Sequence, residues 1–556
     1  MTTIRALRDK ADPRQRLSPA SQTTSDSSPL RLPRWLVVLI VLVVALEIIA
    51  AFAAKSYGVD APTHMYWSSR FFEMLQSGEF IPRWSPQGFQ GYGSPAFYFY
   101  PPLYFYFTSA IRFVFGLADP LRLLQLSGLL LTIACFFSSR YFLRVIGADK
   151  YPATIGAFLY AFAPFRLAEL YSRTSLPAHL GYVFLPILWC GLYQLFSPQT
   201  ERRGILLAGA SLALLFLSTI PLTIGTVGII GLLCIVERKR LTARIARNLA
   251  LAALLCIGLI AYQVASILEY RSHVHLAALT RVPDFLFLHM MNLTMLPAVY
   301  HFVLIYLPGV MLVLVYLFRG RFSEQLTQRE VTVLRLSVTV FAIFIFLDLP
   351  IVSVPIWPYI SVLVQGTWRS YIYFLMIPAV ATAVATTATM RKSVTFIVAL
   401  WSLGAILPLV LILADIHFYS HDAGRTGDTN EYLPKDASIS IVQSEPVQTK
   451  VSSNQPVIVS SVQSPVGITT TFHQFYWPAW HLYVGGMEIP TRPDSVGCAV
   501  ATLRNVATHL HWELEQTPLE RAGLWISGLT ILGIASTLGI GLVRHGVLRS
   551  RPTSNT

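Results

Sequence analysis

Asp60 and His64 stand four residues apart in the stretch Asp60-Ala-Pro-Thr-His, just after the first strongly apolar run of the 556-residue chain. On a helix, a carboxylate and an imidazole at that spacing share one face. Such a pair can take a proton from an acceptor hydroxyl, or help to hold a divalent metal ion. The same residues also have an architectural reading, because Asp ahead of Ala61-Pro62 is a helix-start signal with the carboxylate as cap. The two readings are compatible. Two arginines are placed to meet an anion: Arg173 in Glu169-Leu-Tyr-Ser-Arg and Arg369 in Gln365-Gly-Thr-Trp-Arg. Each lies at the edge of apolar surroundings, where a guanidinium can snorkel to headgroups. A guanidinium also offers paired donors to a phosphate and stays charged, so Arg369 is the first candidate for stabilising a leaving phosphate and Arg173 the second. Tyr66, Arg83, Trp84 and Tyr92 are candidates for contact with a sugar or acceptor, and Arg83 and Trp84 serve equally as membrane-interface anchors.

These residues must be held by a membrane protein. Hydrophobic residues make up 54% of the chain and charged residues only 13%, with a mean hydropathy of +0.56. Soluble domains carry about 25% charged residues. Apolar runs long enough for the roughly 30 Å hydrocarbon core recur along most of the length, among them Trp35–Ala54, Pro152–Ala168 and Ala522–Val543, which predicts about twelve to fourteen transmembrane helices. The net charge of +14 does not point to nucleic acid, because the basic residues fall in short clusters between apolar runs, where they set topology. Arg5, Arg8, Lys10, Arg14, Arg16, Arg31 and Arg34 precede the first run and place the N-terminus in the cytoplasm. Placing the later clusters inside as well puts both termini there. Tyr98–Leu117 disturbs the alternation, as either a crossing or a re-entrant hairpin. The five cysteines form no CxxC pair, so neither a disulfide framework nor a zinc site follows. No internal repeat, Walker A loop, GxGxxG or HExxH is present, which weighs against an ATP-driven pump, a zincin protease and a repeat-built transporter.

The expected organisation is a disordered cytoplasmic N-terminus over 1–34 and a transmembrane domain over 35–414 with a first outer loop at 55–120. A β-rich extracytoplasmic domain over 415–521, a last helix over 522–543 and a cytoplasmic tail over 544–556 complete it. Within the first outer loop, Met65–Phe80 reads as an amphipathic helix lying in the interface, with Glu73 and Glu79 on its wet face. In 415–521, polar residues alternate with β-branched and aromatic ones between Pro and Gly clusters, as in Ser438-Ile-Ser-Ile-Val, Pro456–Val462, Thr469–Phe475 and His509–Glu515. That pattern predicts a small β-sandwich.

Taken together, Asp60…His64, Gly78-Glu-Phe-Ile-Pro-Arg-Trp, Gly91-Tyr-Gly-Ser-Pro and Phe99-Tyr-Pro-Pro-Leu form a longer pattern. It continues in Leu170-Tyr-Ser-Arg, Gln365-Gly-Thr-Trp-Arg, Glu431-Tyr-Leu-Pro, Phe475-Tyr-Trp-Pro-Ala-Trp and Thr517-Pro-Leu-Glu-Arg-Ala-Gly. This combination resembles bacterial membrane proteins with a 6-pyruvoyl-tetrahydropterin synthase-related domain, which are similar to the GT-C superfamily of polyprenyl-phosphate-sugar-dependent glycosyltransferases. The resemblance runs from about Trp35 to Val543. It implies a GT-C-like bundle and an inverting sugar transfer on the outer face of the inner membrane, with Asp60 as base and a lipid-linked sugar as donor. Two places depart from the family pattern: after Tyr171-Ser-Arg the chain reads Thr174-Ser-Leu-Pro-Ala-His, where a Gly and then a glutamate are expected, and Ala479 replaces a Gly. The histidine triad of the soluble pterin synthase is not recognisable. Two other classes of function fit the composition. One is a transporter or assembly partner for lipid-linked saccharides, which would use the intramembrane charges Glu47, Arg166 and Asp348. The other is a structural protein whose outer domain binds partners. The sequence names no protein partner.

Overall fold

The computed structural model describes residues 32–54, 58, 60–275, 331, 335, 338–339, 342, 371–384, 388–414, 428–438, 458–464, 467–503 and 510–549. Arg369, Asp348 and the predicted strand residues Ile439–Val442 lie outside them.

The chain is a helical membrane protein with a small β region near its C-terminal end. The first helix, α1 (Arg34–Ala53), carries no charge except Glu47 after its opening Arg34, and its mean hydropathy suits lipid. Further helices are α2 (Ala61–Gln76), α3 (Leu103–Phe115), α4 (Pro120–Val145), α5 (Lys150–Ala161), α6 (Leu176–Gln194), α7 (Glu201–Phe216), α8 (Ile220–Val236) and α9 (Ala243–Tyr270). After these come α10 (Tyr371–Val384), α11 (Ala388–Leu413) and α12 (Pro518–Arg549). Among the described residues, five helical segments are long and apolar enough to cross a membrane: α1, α4, α6, α9 with its extension to His273, and Val394–Leu413 within α11.

Two apolar stretches differ from a simple crossing, the first left open by the sequence and the second a predicted span. Tyr98–Leu117 becomes the 13-residue α3, which starts after Pro101-Pro102 and ends at Gly116 in the left-handed region (φ 64°). At 1.5 Å per residue it reaches about 20 Å, short of the hydrocarbon core. It packs on α2 and α4 instead. The predicted span Pro152–Ala168 breaks near Ala161, and a short helix restarts over Pro164–Ala168 because Pro is favoured in a first turn. A π-helical turn follows at Glu169–Arg173.

The β region has two antiparallel sheets. One has the order β1-β2-β6-β5, with β1 Ile458–Ser464, β2 Gly467–Phe475, β5 Thr491–Pro493 and β6 Cys498–Leu503. The other has the order β4-β3-β7, with β3 Trp480–Val484, β4 Met487–Ile489 and β7 Leu510–Leu514. Phe472 of the first meets Trp512 of the second edge to face, with ring centroids 4.8 Å apart, and both are buried. The sandwich expected from alternation is therefore present as two small sheets sharing an aromatic contact.

The first long loop docks on these sheets. The Phe475 N–H donates to the Tyr92 carbonyl at 2.6 Å, and the Tyr92 ring stacks on Phe475 at 5.1 Å. Behind it, Trp84 Nε1 donates to Gln474 Oε1 at 2.8 Å. Gly93 has φ +87°, and a Cβ placed there would lie 2.2 Å from the Trp84 ring. Gly93→Ala is expected to destabilise the full-length protein by at least about 2 kcal/mol, through overpacking and a left-handed backbone together. Thermal unfolding in detergent measures it, and an unchanged midpoint would contradict this packing.

Candidate active site

Asp60 occupies the N-cap position of α2, but its side chain makes no capping hydrogen bond. Its Oδ2 instead accepts from Arg173 Nε at 3.2 Å, across 113 residues of sequence. The capping account therefore holds for the backbone alone: the His64 N–H donates to the Asp60 carbonyl at 3.0 Å. The carboxylate is turned toward the π-turn, and its Oδ1 has no partner among the described residues.

The π-turn is what carries Arg173 to Asp60. Backbone bonds from Asp60 N–H to the Arg173 carbonyl and from Gly58 N–H to the Tyr171 carbonyl, both 3.0 Å, lay the two loops side by side. Single π-turns of this kind are frequent at functional sites. Glu169 approaches Arg173 at 3.7 Å on the same turn, so the guanidinium lies between two carboxylates. Asp60 and Arg173 remain 31% and 19% exposed, so the pair is reachable.

Thr174, one of the departures from the family pattern, ends the turn with φ +64°. A β-branched residue there is strained by about 1–3 kcal/mol, which is why a Gly is the natural occupant. The threonine gives something in return. Its Oγ1 accepts the Gly58 N–H at 2.8 Å and pins the loop that leads to Asp60.

Beneath the turn, Tyr171 donates to the Glu47 carbonyl at 3.4 Å, and Thr132 donates to Glu47 Oε1 at 3.1 Å. Arg166 Nη2 donates to the same Thr132 hydroxyl at 2.9 Å. The Thr132 hydroxyl thus bridges two of the intramembrane charges, while Glu47 Oε2 and Arg166 Nη1 have no hydrogen-bond partner among the described residues.

His64 lies on the same helix, buried to 3% exposure, with Tyr104 and Tyr100 edge-on at 5.7 and 6.3 Å. Its Nδ1 has no partner among the described residues. Burial pushes its pKa down to about 4, with Asp60 opposing and Arg173 reinforcing the shift. At neutral pH it is a neutral imidazole that can accept or donate one hydrogen bond without adding charge.

Asp60 and His64, read from the sequence as a possible metal pair, gain no third metal ligand among the described residues. Asp60 commits one oxygen to a guanidinium, and no set of three His, Cys, Asp or Glu side chains converges among the described residues.

The four aromatic-loop candidates go elsewhere. Tyr66 donates its hydroxyl to the Gln87 carbonyl at 2.8 Å, with Arg70 over its ring. Tyr92 lies between His473 and Phe475. Trp84 is 1% exposed. Arg83, read from the sequence as a sugar contact or an interface anchor, is neither. It is buried, paired with Glu520 at 3.4 Å, and donates to the Leu514 and Glu515 carbonyls. A cation taken out of water needs such partners, and here both terminal nitrogens of the guanidinium find them. The structure pairs Asp60 with Arg173, places His64 one turn along α2 with no side-chain hydrogen bond to either, and uses Arg83, Trp84 and Tyr92 to fasten the loop to the sheets.

One carboxylate escaped sequence reasoning. Asp428 Oδ1 accepts from Trp67 Nε1 at 3.1 Å, and Oδ2 accepts the Phe89 N–H at 2.6 Å. It thereby stabilises the turn Gly88–Gly91, where Phe89 and Gln90 hold φ of 46° and 61°. Burial raises its pKa to about 6. A raised folded-state value means that Asp428 contributes stability that is complete below about 4 and is lost as pH rises through 6. His64 has the opposite sign, since its contribution is present above 6.5 and lost as pH falls through about 4. The two offset each other between pH 6.5 and 4. Asp428→Asn is therefore expected to lose stability faster than the wild type as pH falls through this window. Melting temperatures at pH 7, 6, 5 and 4 check the sign, and parallel curves would refute it. The local sequence His421-Asp-Ala-Gly-Arg-Thr-Gly reads only as a turn; the one signal nearby was Glu431-Tyr-Leu-Pro.

No protein-family model matches the chain, and no curated protein does. Among solved structures it is similar to the arabinofuranosyltransferase AftD from Mycobacteria, at 16% identity and a TM-score of 0.41 over 70% of this chain and 27% of that one. It is also similar to ArnT from Cupriavidus metallidurans bound to undecaprenyl phosphate (16%, TM-score 0.38, 68% of this chain and 76% of that one). A third is the Archaeoglobus fulgidus oligosaccharyltransferase in complex with zinc and sulfate (17%, TM-score 0.41, 69% and 53%). The chain thus spans 27% of the length of the first and 53% of the third.

Proposed function

We propose that the chain is a GT-C-like inverting glycosyltransferase that moves a sugar from a polyprenyl-phosphate donor to a cell-envelope acceptor on the outer face of the bacterial inner membrane. One observation carries the reading: the partly exposed Asp60–Arg173 pair, assembled by two loops just beyond the end of the first apolar helix. A base and a phosphate-binding cation at the membrane edge suit a donor that arrives within the bilayer. The motif pattern of the sequence adds the GT-C likeness, and with it the polyprenyl carrier; the pterin-synthase-related likeness rests on that pattern alone.

In this reading, Asp60 Oδ1 takes the proton of the acceptor hydroxyl as its oxygen attacks the anomeric carbon. The bond from that carbon to the donor phosphate breaks, and the phosphate leaves on the polyprenyl chain. Arg173, joined by Arg369, takes up the charge of the leaving phosphate. Neutral His64 orients the acceptor or the Asp60 carboxylate by a single hydrogen bond. The loop 55–120 and the β region over 415–521 then frame the acceptor side, with both termini in the cytoplasm.

The test is reconstitution of the full chain with labelled polyprenyl-phosphate sugars. Label found in a new glycosidic bond supports the reading. Label entering sealed vesicles with no new bond would replace it with the transporter reading.

A further inference from the structure

The two faces of α3 are the reverse of what water requires. Its inner face is buried and carries the hydroxyls of Thr108 and Ser109 beside Tyr104, Phe105 and Ile111. On the outer face Leu103, Phe107, Ala110 and Val114 follow one another at helical spacing, with Tyr106 and Phe113 beside them, and none of these is buried. Phe113 is 83% exposed. The loop after α2 extends the patch: the Tyr106 hydroxyl donates to the Phe80 carbonyl at 2.7 Å, and the Phe80 ring is 78% exposed. A helix on a soluble surface turns its polar residues outward, whereas here the outward face is the apolar one. We infer that this face of α3 lies in the lipid at the membrane surface, so that the helix anchors the first long loop to the bilayer.

The position of the helix selects the bilayer as the occupant. At its start, the Leu103 N–H donates to the Leu217 carbonyl at 3.0 Å, just past the end of α7. α7 runs back along α6, and a Cβ on Gly181, in the second turn of α6, would lie 2.8 Å from Thr219. Leu217 therefore sits at the end of α6 that follows the π-turn. At the other end of α3, four residues lead to α4, where Arg122 donates to the Phe52 carbonyl at the end of α1 at 3.1 Å. α1, α4 and α6 are long and apolar enough to cross the membrane, and these are their ends on the Asp60 side. A helix of about 20 Å with both ends at one level runs along the membrane surface. Its apolar face also continues an existing lipid-facing surface, since Ile48, Ile49 and Phe52 are exposed at the same end of α1.

Arg112 adds a headgroup contact. It precedes the exposed tip Phe113-Val114-Phe115, and its guanidinium lies over the Phe72 ring at 4.5 Å, with no carboxylate partner among the described residues. Asp119, the nearest acid along the chain, is spent on capping α4 through the Leu121 N–H at 3.0 Å. A cation next to side chains that enter lipid lies at the level of the phosphates, where anionic headgroups attract it.

The inner face of α3 is in turn the support of α2. Tyr104 stands edge-on to His64 at 5.7 Å, and Phe105 packs on Trp67 and Phe71 at 6.2 and 5.5 Å. Lipid on one side of α3 thus sets the height of the helix that begins at Asp60. This inference rests on the fold and needs no transfer reaction.

The experiment places a thiol-reactive fluorophore at Phe113→Cys, Phe80→Cys or Met487→Cys in the full-length protein in phosphatidylcholine nanodiscs, with the signal of equally treated wild type subtracted. Met487 is exposed on β4 and serves as the reference in water. All three side chains are exposed, so the labelled variants should melt with the wild type, and a melting curve of each checks this. Lipids carrying a nitroxide on the acyl chain are expected to quench the labels at 113 and 80 at least about threefold more than the label at 487, and iodide in the buffer to do the reverse. Iodide quenching at 113 and 80 equal to that at 487 would overturn the proposal. So would protection from both quenchers, which would mean that protein covers the face. For Arg112, replacing part of the phosphatidylcholine by phosphatidylglycerol is expected to raise the melting temperature of the wild type but not of Arg112→Gln; equal rises would contradict the headgroup contact.

Discussion

Asp60→Asn is expected to lower the rate of sugar transfer by about 10³-fold, the scale of losing a positioned general base. The substitution keeps the size and one acceptor oxygen of the side chain but removes its ability to take a proton. The amide that replaces the carboxylate would still face Arg173, and the backbone bonds that seat α2 on the π-turn do not involve the side chain. Folding should therefore change by less than about 1 kcal/mol, because the pair is partly exposed and such pairs contribute little. The expected signature is a collapse of kcat with little change in donor KM and an unchanged melting temperature. A parallel loss of stability would instead make Asp60 a fastening of the loop.

Glu520→Ala is expected to have the largest effect on stability, about 3–5 kcal/mol, the cost of leaving a buried charge without its partner. Glu520 is fully buried, and what converges on it explains why. Arg83 reaches it from the first long loop at 3.4 Å, Ser266 and Tyr270 from the end of α9 at 3.0 and 3.3 Å, and the Thr517 N–H at 3.1 Å. The Glu520 N–H in turn donates to Thr517 Oγ1 at 3.2 Å, completing a capping box at the start of α12. One side chain thus fastens the loop, α9 and the final helix on the same side of the bundle. Denaturation in mild detergent measures the loss. Combining Glu520→Ala with Arg83→Met should restore much of it, since the unpaired cation goes as well; an additive double variant would contradict the pairing.

The same pair shows where sequence reasoning stops. Thr517-Pro-Leu-Glu stood out as part of a motif and Arg83 as a loop cation, but they lie 437 residues apart and no local pattern links them. A charge in a polar loop reads as exposed, and only the fold reveals that this one is buried against a carboxylate. Asp60 and Arg173 were each legible from their own surroundings: a carboxylate just past an apolar run, an arginine at a helix end. Their meeting needed the π-turn, which no hydrophobic period announces. The helices that run through lipid were the most legible, because a continuous apolar run has one physical meaning; α1 was expected at Trp35–Ala54 and runs Arg34–Ala53. Tyr98–Leu117 has the same composition yet falls short, because Pro101-Pro102 postpones its start. Thr174 was visible only as an exception to a pattern. Its left-handed backbone is a conformation that a glycine would hold without strain. Asp428 was invisible because Gly, Asp and Thr near a strained turn look like any other turn.

The central claim is a single displacement in which Asp60 activates the acceptor and the donor phosphate leaves from the opposite side. The configuration of the new glycosidic bond tests this most directly. With a polyprenyl-phosphate sugar of known anomeric configuration and the reconstituted wild-type chain, proton NMR of the product should show inversion at the anomeric carbon. Retention would contradict the account, because it requires a second nucleophile and a covalent sugar intermediate that a lone base at Asp60 does not provide.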